Sequence, residues 1–192
     1  MIIKLTSSAI FCCLLALSGC VTPPPKKPVV VTKGPVSSPS KKVNYWRGDG
    51  VKGAPRIVIE LGAQRVLFYR DNKVVGESVV STGKTGFETP AGEYHVIQKD
   101  KDHASNLYGR FVNTSGEVVR SNVDITKDHP PEGAVFEGAK MPYFLRFYQG
   151  YGLHAGRVTD HRASHGCVRL PRDIAMHIFN NVEIGTPVVL HD

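Results

Sequence analysis

Hydrophobic and polar residues alternate along the middle of the chain in a way that predicts short β-strands. Residues 56–61 and 64–70 are rich in β-branched and aromatic residues, with Gly62-Ala63 between them. Residues 73–82 follow the turn pair Asp71-Asn72, so a meander of three strands is expected. The same texture predicts further strands over residues 92–98, 143–147, 151–154 and 187–190.

One segment has helical rather than strand periodicity. Pro171 stands where a first turn would begin, and Gly185 follows the segment. The apolar residues that recur at helical spacing are Ile174, Ala175, Ile178, Phe179 and Val182. Residues 99–142 show no clear period, so a long irregular loop that forms a wall or lid is expected there. The pattern predicts a mainly β domain with one or two short helices.

The N-terminus has the pattern of an export signal. Lys4 precedes a mostly apolar run over residues 5–17 that is too short to span a bilayer. Leu17-Ser18-Gly19-Cys20 resembles the lipobox of bacterial lipoproteins, which implies removal of residues 1–19 and lipidation of Cys20. The acyl chains would anchor the protein to a membrane. A plain signal peptide that is cut elsewhere is the alternative.

Residues 20–55 are rich in proline, serine and lysine and have few bulky apolar residues. Such a composition cannot form a core, so this segment is predicted to be a flexible tether before a folded domain at residues 56–192.

The net charge of +7 favours an anionic envelope polymer or membrane surface as a partner. Nucleic acid is not an expected partner of an exported protein, and a monomer is expected.

The cysteines point to a single reactive thiol. Cys12 and Cys13 would leave with the signal and Cys20 would be lipidated, which leaves Cys167. The mature chain would therefore have no intramolecular disulfide. A single remaining thiol in an exported protein is a candidate nucleophile.

The surroundings of Cys167 suit nucleophilic catalysis, because a thiol needs a base to become a thiolate. His154, His161 and His165 lie within the thirteen positions before it. His154 ends a predicted strand that could fold back as a hairpin to meet the thiol, and His165 alternates with Cys167 and could share its face. Gly166 permits a tight turn whose N–H groups could stabilise an oxyanion.

Other interpretations of these residues remain open. Cys167 could be a buried apolar residue, or it could bind zinc together with the three histidines. The spacing is not that of a regular zinc knuckle, and there is no second cysteine nearby. Arg169 could be an ordinary surface residue or could hold a substrate carboxylate. His161 is expected to face solvent or substrate rather than act in the catalytic step.

Two segments resemble the catalytic motif of YkuD-type L,D-transpeptidases, namely His154-Ala155-Gly156 and Ser164-His165-Gly166-Cys167-Val168-Arg169-Leu170. Residues 89–94, which begin Thr89-Pro90, and residues 185–189 are similar to further segments of that family. The resemblance covers residues 55–191 and implies a β-sandwich or barrel-like domain. It departs from the family where the usual His-Gly-Thr is His154-Ala155-Gly156 and where only twelve residues separate His154 from Cys167.

The resemblance implies a reaction on peptidoglycan stem tetrapeptides that needs no cofactor and no metal. Cys167 would be the nucleophile and would form a thioester, and His154 would be the proton donor and acceptor. His165 and Gly166 would shape the site, with backbone N–H groups near Gly166 as the oxyanion hole, and Ser164 and Arg169 would position substrate or loop.

The acyl group would pass to an amine of a second stem, giving a 3→3 cross-link. The alternatives are an L,D-carboxypeptidase or hydrolase, and a non-catalytic wall-binding lipoprotein. Val21 follows Cys20 with no aspartate, a pattern that looks like sorting to the outer membrane, facing the periplasm, if the source is Gram-negative.

Overall fold

The computed structural model describes residues 44–159 and 161–192, so the predicted signal, the lipidated Cys20 and most of the predicted tether lie outside the described residues. The elements in chain order are β1 Tyr45–Trp46, β2 Pro55–Glu60, β3 Arg65–Arg70, β4 Lys73–Val79, β5 Gly92–His95, β6 Gln98–Asp100, β7 Ala104–Val112, β8 Val118–Asp124, β9 Val135–Lys140, β10 Phe144–Tyr148, β11 Tyr151–Ala155, β12 Val168–Leu170, α1 Arg172–Asn181 and β13 Pro187–His191. The mainly β class is confirmed, and within the described ranges there is one helix.

A six-stranded sheet carries the predicted meander. Its order is β1-β4-β3-β2-β13-β5, and β2, β3 and β4 pair antiparallel in sequence. The closing strand β13 inserts parallel to β2, with Val188 opposite Ile57. The β-branched residues of these strands bury alternate side chains, as a half-buried strand requires.

A second sheet of four strands has the order β12-β11-β10-β6 and holds the motif residues. Strands β10 and β11 form a tight hairpin, whereas β11 and β12 run parallel. The two sheets and α1 enclose one apolar core, which gives the sandwich-like arrangement that was predicted. Its largest fully buried members from these elements include Ile57, Ile59, Phe68, Leu145, Leu153, Leu170, Ile178 and Leu190.

The helix agrees with its predicted position. Pro171 occupies the position before the first helical residue, and Ile174, Ala175 and Ile178 are buried against the core. Val182 ends the helix in an extended conformation with its side chain buried, and Gly185 follows with φ +92°. No helix in the described parts of the chain is long and apolar enough to cross a membrane.

The prediction of an irregular loop over residues 99–142 was wrong. These residues contain a three-stranded antiparallel sheet in the order β8-β7-β9. Gly109 and Gly138 looked like loop residues, but each marks a close approach of strands. A Cβ at Gly109 would lie 2.2 Å from Glu137 O, and one at Gly138 would lie 2.0 Å from Ser105 O. Register shifts within β7 also break the alternation that a flat strand would show.

Two further boundaries differ from the predicted ones. Residues 92–98 form two strands of different sheets rather than one, because the chain leaves β5 at His95 and enters β6 at Gln98. Residues 45–46, inside the range predicted to be a tether, belong to the fold instead. They form β1, which pairs with β4, and Trp46 packs on Phe68 with ring centroids 4.9 Å apart.

Candidate active site

Cys167 lies in a turn that is pinned by a buried hydroxyl group. Ser164 is 1% exposed, and its Oγ donates to Cys167 O at 2.5 Å and accepts from Gly166 N at 3.0 Å. Gly166 between them has φ +115°, and a Cβ there would lie 2.7 Å from the ring of Tyr151. The glycine is therefore required both for its backbone conformation and for the contact with Tyr151.

These contacts bear on two sequence predictions. Ser164 is buried and its hydroxyl group bonds within the turn, which is compatible with the suggested positioning of the loop. The Gly166 N–H, predicted to lie in the oxyanion hole, already donates to Ser164 Oγ, whereas the Cys167 N–H has no such acceptor in this turn. Cys167 lies just before β12. Among residues 44–159 and 161–192, its N–H group makes no backbone hydrogen bond outside the strand ladders.

His154 reaches the site from β11 and is 6% exposed. Its Nδ1 lies 2.9 Å from the carbonyl oxygen of Ala155. Because a carbonyl can only accept, Nδ1 carries the proton and Nε2 has a free lone pair. Burial lowers the pKa of His154 to about 4 against the opposing effect of the Ala155 carbonyl, with smaller lowering by Arg169 and His103. The imidazole is therefore neutral at pH 7.

The approach of His154 to Cys167 is not the predicted hairpin. Strand β11 pairs parallel with β12, with Leu153 opposite Val168 and His154 opposite Arg169. Directly opposed residues of a parallel pair point to the same face, and the faces alternate along each strand. Extending the register back by one residue sets Cys167 beside Gly152. His154 and the thiol thus belong to one face of the sheet.

The backbone of residues 150–152 surrounds the thiol. Cys167 Sγ donates weakly to Gly150 O at 3.7 Å, and the backbone N–H of Gly152 near the sulfur lowers the pKa of the thiol. A Cβ at Gly152 would lie 2.4 Å from the ring of Phe144, so only glycine allows this packing. In the described part of the chain, no hydrogen bond joins Sγ to His154.

Burial has the largest effect on the thiol and raises the pKa of Cys167. The Gly152 N–H and the cationic side chains of Arg146 and Arg169 oppose this rise without cancelling it. Both shifts favour the uncharged forms, a thiol and a neutral imidazole, over a thiolate–imidazolium pair.

Arg169 lies one position beyond Val168 on β12 and is partly buried. Burial lowers the pKa of its guanidinium, and the Cys167 thiol opposes this effect. Across the described residues it has no acidic partner within salt-bridge distance, unlike Arg65 or Arg110. An arginine with no carboxylate partner of its own, on the same face as His154, can bind an incoming carboxylate.

His165 does not share an extended face with Cys167, because the turn at Gly166 separates them. Its ring stacks on Tyr108 of β7 at 4.7 Å between centroids and meets Phe87 edge-on at the same distance. Through Tyr108 the three-stranded sheet adjoins the turn that holds Cys167. His161 is exposed.

Sequence reasoning missed the residues that act through their backbone. Gly150 and Gly152 carry no side chain to suggest chemistry, although the spacing of two glycines around Tyr151 was visible.

The described residues contain no group of three or more histidine, cysteine or acidic side chains that could hold a metal ion, so the three histidines and Cys167 do not form a zinc site there.

Comparison with known proteins gives a consistent set of similarities. The sequence model of the YkuD family, described as the L,D-transpeptidase catalytic domain, matches residues 54–190. YqjB of Bacillus subtilis is 30% identical over 141 residues, which cover 73% of each chain. The probable L,D-transpeptidase ErfK/SrfK of Escherichia coli is 26% identical over 71% of this chain but only 44% of its own length.

Solved structures share the fold. An L,D-transpeptidase from Mycobacterium smegmatis superposes with a TM-score of 0.56 at 21% sequence identity, covering 72% of this chain and 59% of that one. An Enterococcus faecium L,D-transpeptidase gives a TM-score of 0.52 at 25% identity, covering 73% of this chain and 50% of that one. This chain thus spans little more than half the length of these solved proteins.

Proposed function

The chain belongs to the YkuD family of L,D-transpeptidase catalytic domains, and on that premise we propose that it is a cysteine-dependent acyltransferase acting on peptidoglycan stem tetrapeptides. Its nucleophile is Cys167 and its proton carrier is His154. The observation that carries the proposal is a neutral, buried imidazole with Nδ1 bound to Ala155 O, on the same sheet face as the single thiol in the described residues.

The first half-reaction acylates the enzyme. The Cys167 sulfur attacks the carbonyl carbon of the third stem residue while His154 Nε2 takes the thiol proton. The carbonyl oxygen becomes an oxyanion that accepts a hydrogen bond from the Cys167 N–H. The C–N bond to the terminal D-alanine then breaks, the imidazolium returns its proton to the leaving amine, and a thioester remains.

The second half-reaction decides the product. A side-chain amine of a second stem attacks the thioester carbonyl, His154 takes the amine proton, and the C–S bond breaks to give a 3→3 cross-link and the free thiol. If water attacks instead, the product is a tripeptide and the enzyme is an L,D-carboxypeptidase. The carboxylate of the donor stem is the natural ligand of Arg169, because the guanidinium has no acidic partner in the described structure.

The neutral resting state suits this chemistry. An uncharged thiol and imidazole can share a buried site without the desolvation cost of an ion pair. Charge develops only when the thiol proton moves to His154, at which point the Gly152 N–H, Arg146 and Arg169 all favour the thiolate. The site therefore favours the transition state more than the ground state.

The test is incubation of the full chain with a purified disaccharide-tetrapeptide, followed by mass spectrometry of enzyme and products. A thioester adduct on Cys167 and a dimer that has lost one D-alanine would support the transpeptidase. Tripeptide alone would assign a carboxypeptidase. The Cys167→Ala variant must lose the adduct, and an unchanged adduct would disprove the nucleophile.

We also propose that Cys20 carries the lipid anchor and that the domain works as a monomer on the periplasmic side of an outer membrane in a Gram-negative source. The Leu17-Ser18-Gly19-Cys20 sequence supports the anchor. Mass spectrometry of the chain from membranes, compared with Cys20→Ala, tests it. Absence of an acyl adduct on the wild-type N-terminus would rule it out.

A further inference from the structure

A buried hydroxyl group links a distant loop to the catalytic turn. Thr89 is 3% exposed, and its Oγ1 donates to Gly166 O at 2.6 Å. The same oxygen accepts from Gly83 N at 2.9 Å. An amide nitrogen can only donate and a carbonyl can only accept, so the direction of both bonds is fixed. The single hydroxyl proton of Thr89 is thereby committed to the Gly166 carbonyl.

The loop that carries Thr89 is held in place on the same side of the turn. A Cβ at Gly83 would lie 1.9 Å from Phe87 O and 2.7 Å from Thr89 N, so the loop closes tightly on itself. Ser164 N donates to Thr82 O at 3.0 Å, and Lys84 N donates to Ser164 O at 3.0 Å. The Thr89 hydroxyl is therefore presented to Gly166 by backbone contacts rather than by a mobile side chain.

Fixing the Gly166 carbonyl also fixes the next N–H group. The peptide between Gly166 and Cys167 is trans, so its C=O and N–H point in opposite directions. Ser164 binds the two other backbone groups of the turn, Gly166 N and Cys167 O. Thr89 and Ser164 together leave the Cys167 N–H free and oriented.

We propose that Thr89 is a positioning residue for the reaction, which aims the Cys167 N–H at the oxyanion that forms when the thiol attacks a carbonyl. The inference rests on the proposed function, because it needs an acyl transfer at Cys167. Thr89 touches neither substrate nor thiol in this role. It acts only through the Gly166–Cys167 peptide.

Loss of this hydroxyl removes the constraint on the peptide without removing the donor itself. Loss of a whole oxyanion donor costs about 10²- to 10³-fold in rate, so a donor that is only misaimed is expected to cost about 10- to 100-fold. Reactions of the thiol that form no oxyanion should be spared. This selectivity separates positioning from a general loosening of the site.

The experiment compares two reactions of Cys167 in the full chain carrying Thr89→Val, an isosteric change without the hydroxyl. Acylation by 4-nitrophenyl acetate passes through an oxyanion, whereas alkylation by iodoacetamide displaces iodide at a saturated carbon and forms none. Thr89→Ser, which keeps the hydroxyl, is the matched rescue variant. Thermal unfolding of each variant reports whether the fold is intact.

The expected result is an acylation rate reduced about 10- to 100-fold in Thr89→Val, with alkylation and its pH profile unchanged and with acylation restored in Thr89→Ser. Equal losses in both reactions, or no loss in either, would overturn the inference. If Thr89→Val does not fold, Thr89→Ala carries the same expectation. A wild-type chain that is acylated by the ester but not by the tetrapeptide would sink the proposed substrate and leave the role of Thr89 standing.

Discussion

His154 and Ala155 are consecutive residues of β11, and the imidazole of the first folds back so that its Nδ1 donates to the carbonyl of the second at 2.9 Å. A backbone oxygen thus occupies the place where many cysteine and serine enzymes have a side-chain carboxylate or amide. Because a carbonyl has no negative charge, it fixes the tautomer but does little to stabilise an imidazolium. The low pKa of His154 follows from this weak compensation for burial.

The stability of the folded chain should depend on the protonation of His154. The pKa of about 4 in the folded state lies below the unperturbed 6.5, so the unfolded state binds more protons between these values. The contribution of neutral His154 to the free energy of unfolding is fully present above pH 6.5 and is lost as the pH falls toward 4. Between pH 7 and pH 4.5 we expect a loss of about 2 kcal/mol in the free energy of unfolding from this group alone.

The measurement is urea unfolding at both pH values for wild type and His154→Gln. The variant cannot take up the proton, so its free energy of unfolding should fall by about 2 kcal/mol less than that of wild type. Other titrating groups are shared by the two chains and cancel in the difference. Identical pH dependence in both chains would contradict the assignment of a buried, neutral His154.

The reactivity of Cys167 should show a raised pKa. We expect the rate of iodoacetamide alkylation to rise with pH through a midpoint above that of a cysteine in an unstructured peptide with blocked ends, because burial outweighs the Gly152 N–H and the two arginines. Replacing one cation, as in Arg146→Gln, should move the midpoint further up. A midpoint below that of the reference thiol would mean that the site rests as an ion pair instead.

Arg169→Gln should weaken discrimination between a free and a blocked donor carboxylate. The wild-type enzyme is expected to prefer a tetrapeptide acid over its C-terminal amide, and the variant should lose about 10- to 100-fold of that preference in kcat/KM. Taking the ratio of kcat/KM for the two substrates cancels any effect of Arg169 on the pKa of the thiol, because that effect is the same for both. A preference that stays unchanged would show that the guanidinium does not contact the donor carboxylate.

Gly152→Ala should destabilise the domain, while Gly150→Ala two residues earlier should not. A Cβ at Gly152 would overlap the Phe144 ring at 2.4 Å, and overpacking of this kind costs about 1–3 kcal/mol. Gly150 has no atom within 4 Å of such a Cβ. Thermal unfolding of both variants checks this. Equal unfolding temperatures for the two variants would show that β11 can move away from Phe144 without a loss of stability.

The sequence was sufficient for the elements whose side chains alternate or recur cleanly. Strands β2 and β3 and helix α1 lie within one or two residues of their predicted limits, because their buried positions are filled by β-branched and aliphatic residues. The three-stranded sheet was missed because Gly109 and Gly138 serve close strand contacts there. Glycine at such a contact has the same appearance in a sequence as glycine in a loop.

The grouping of the motif residues was predictable as far as it depends on side-chain chemistry. The motif named His154, Cys167 and Arg169, and the structure brings these positions to one face of paired strands. The motif could not predict that β11 and β12 pair in parallel. Strand direction depends on the path of the connection between the strands, which the motif does not encode. The role of Ser164 was likewise hidden, because a serine beside a nucleophile looks the same whether it binds substrate or pins the turn.

The burial of the Cys167 thiol has a consequence for the lifetime of the protein. Peroxides attack thiolates far faster than thiols, so a sulfur that keeps its proton at neutral pH resists conversion to sulfenic acid. With no second thiol in the described residues, an oxidised Cys167 would have no resolving partner within that part of the molecule. Burial, which keeps the proton on the sulfur, thus protects a thiol that the described part of the chain could not restore by itself.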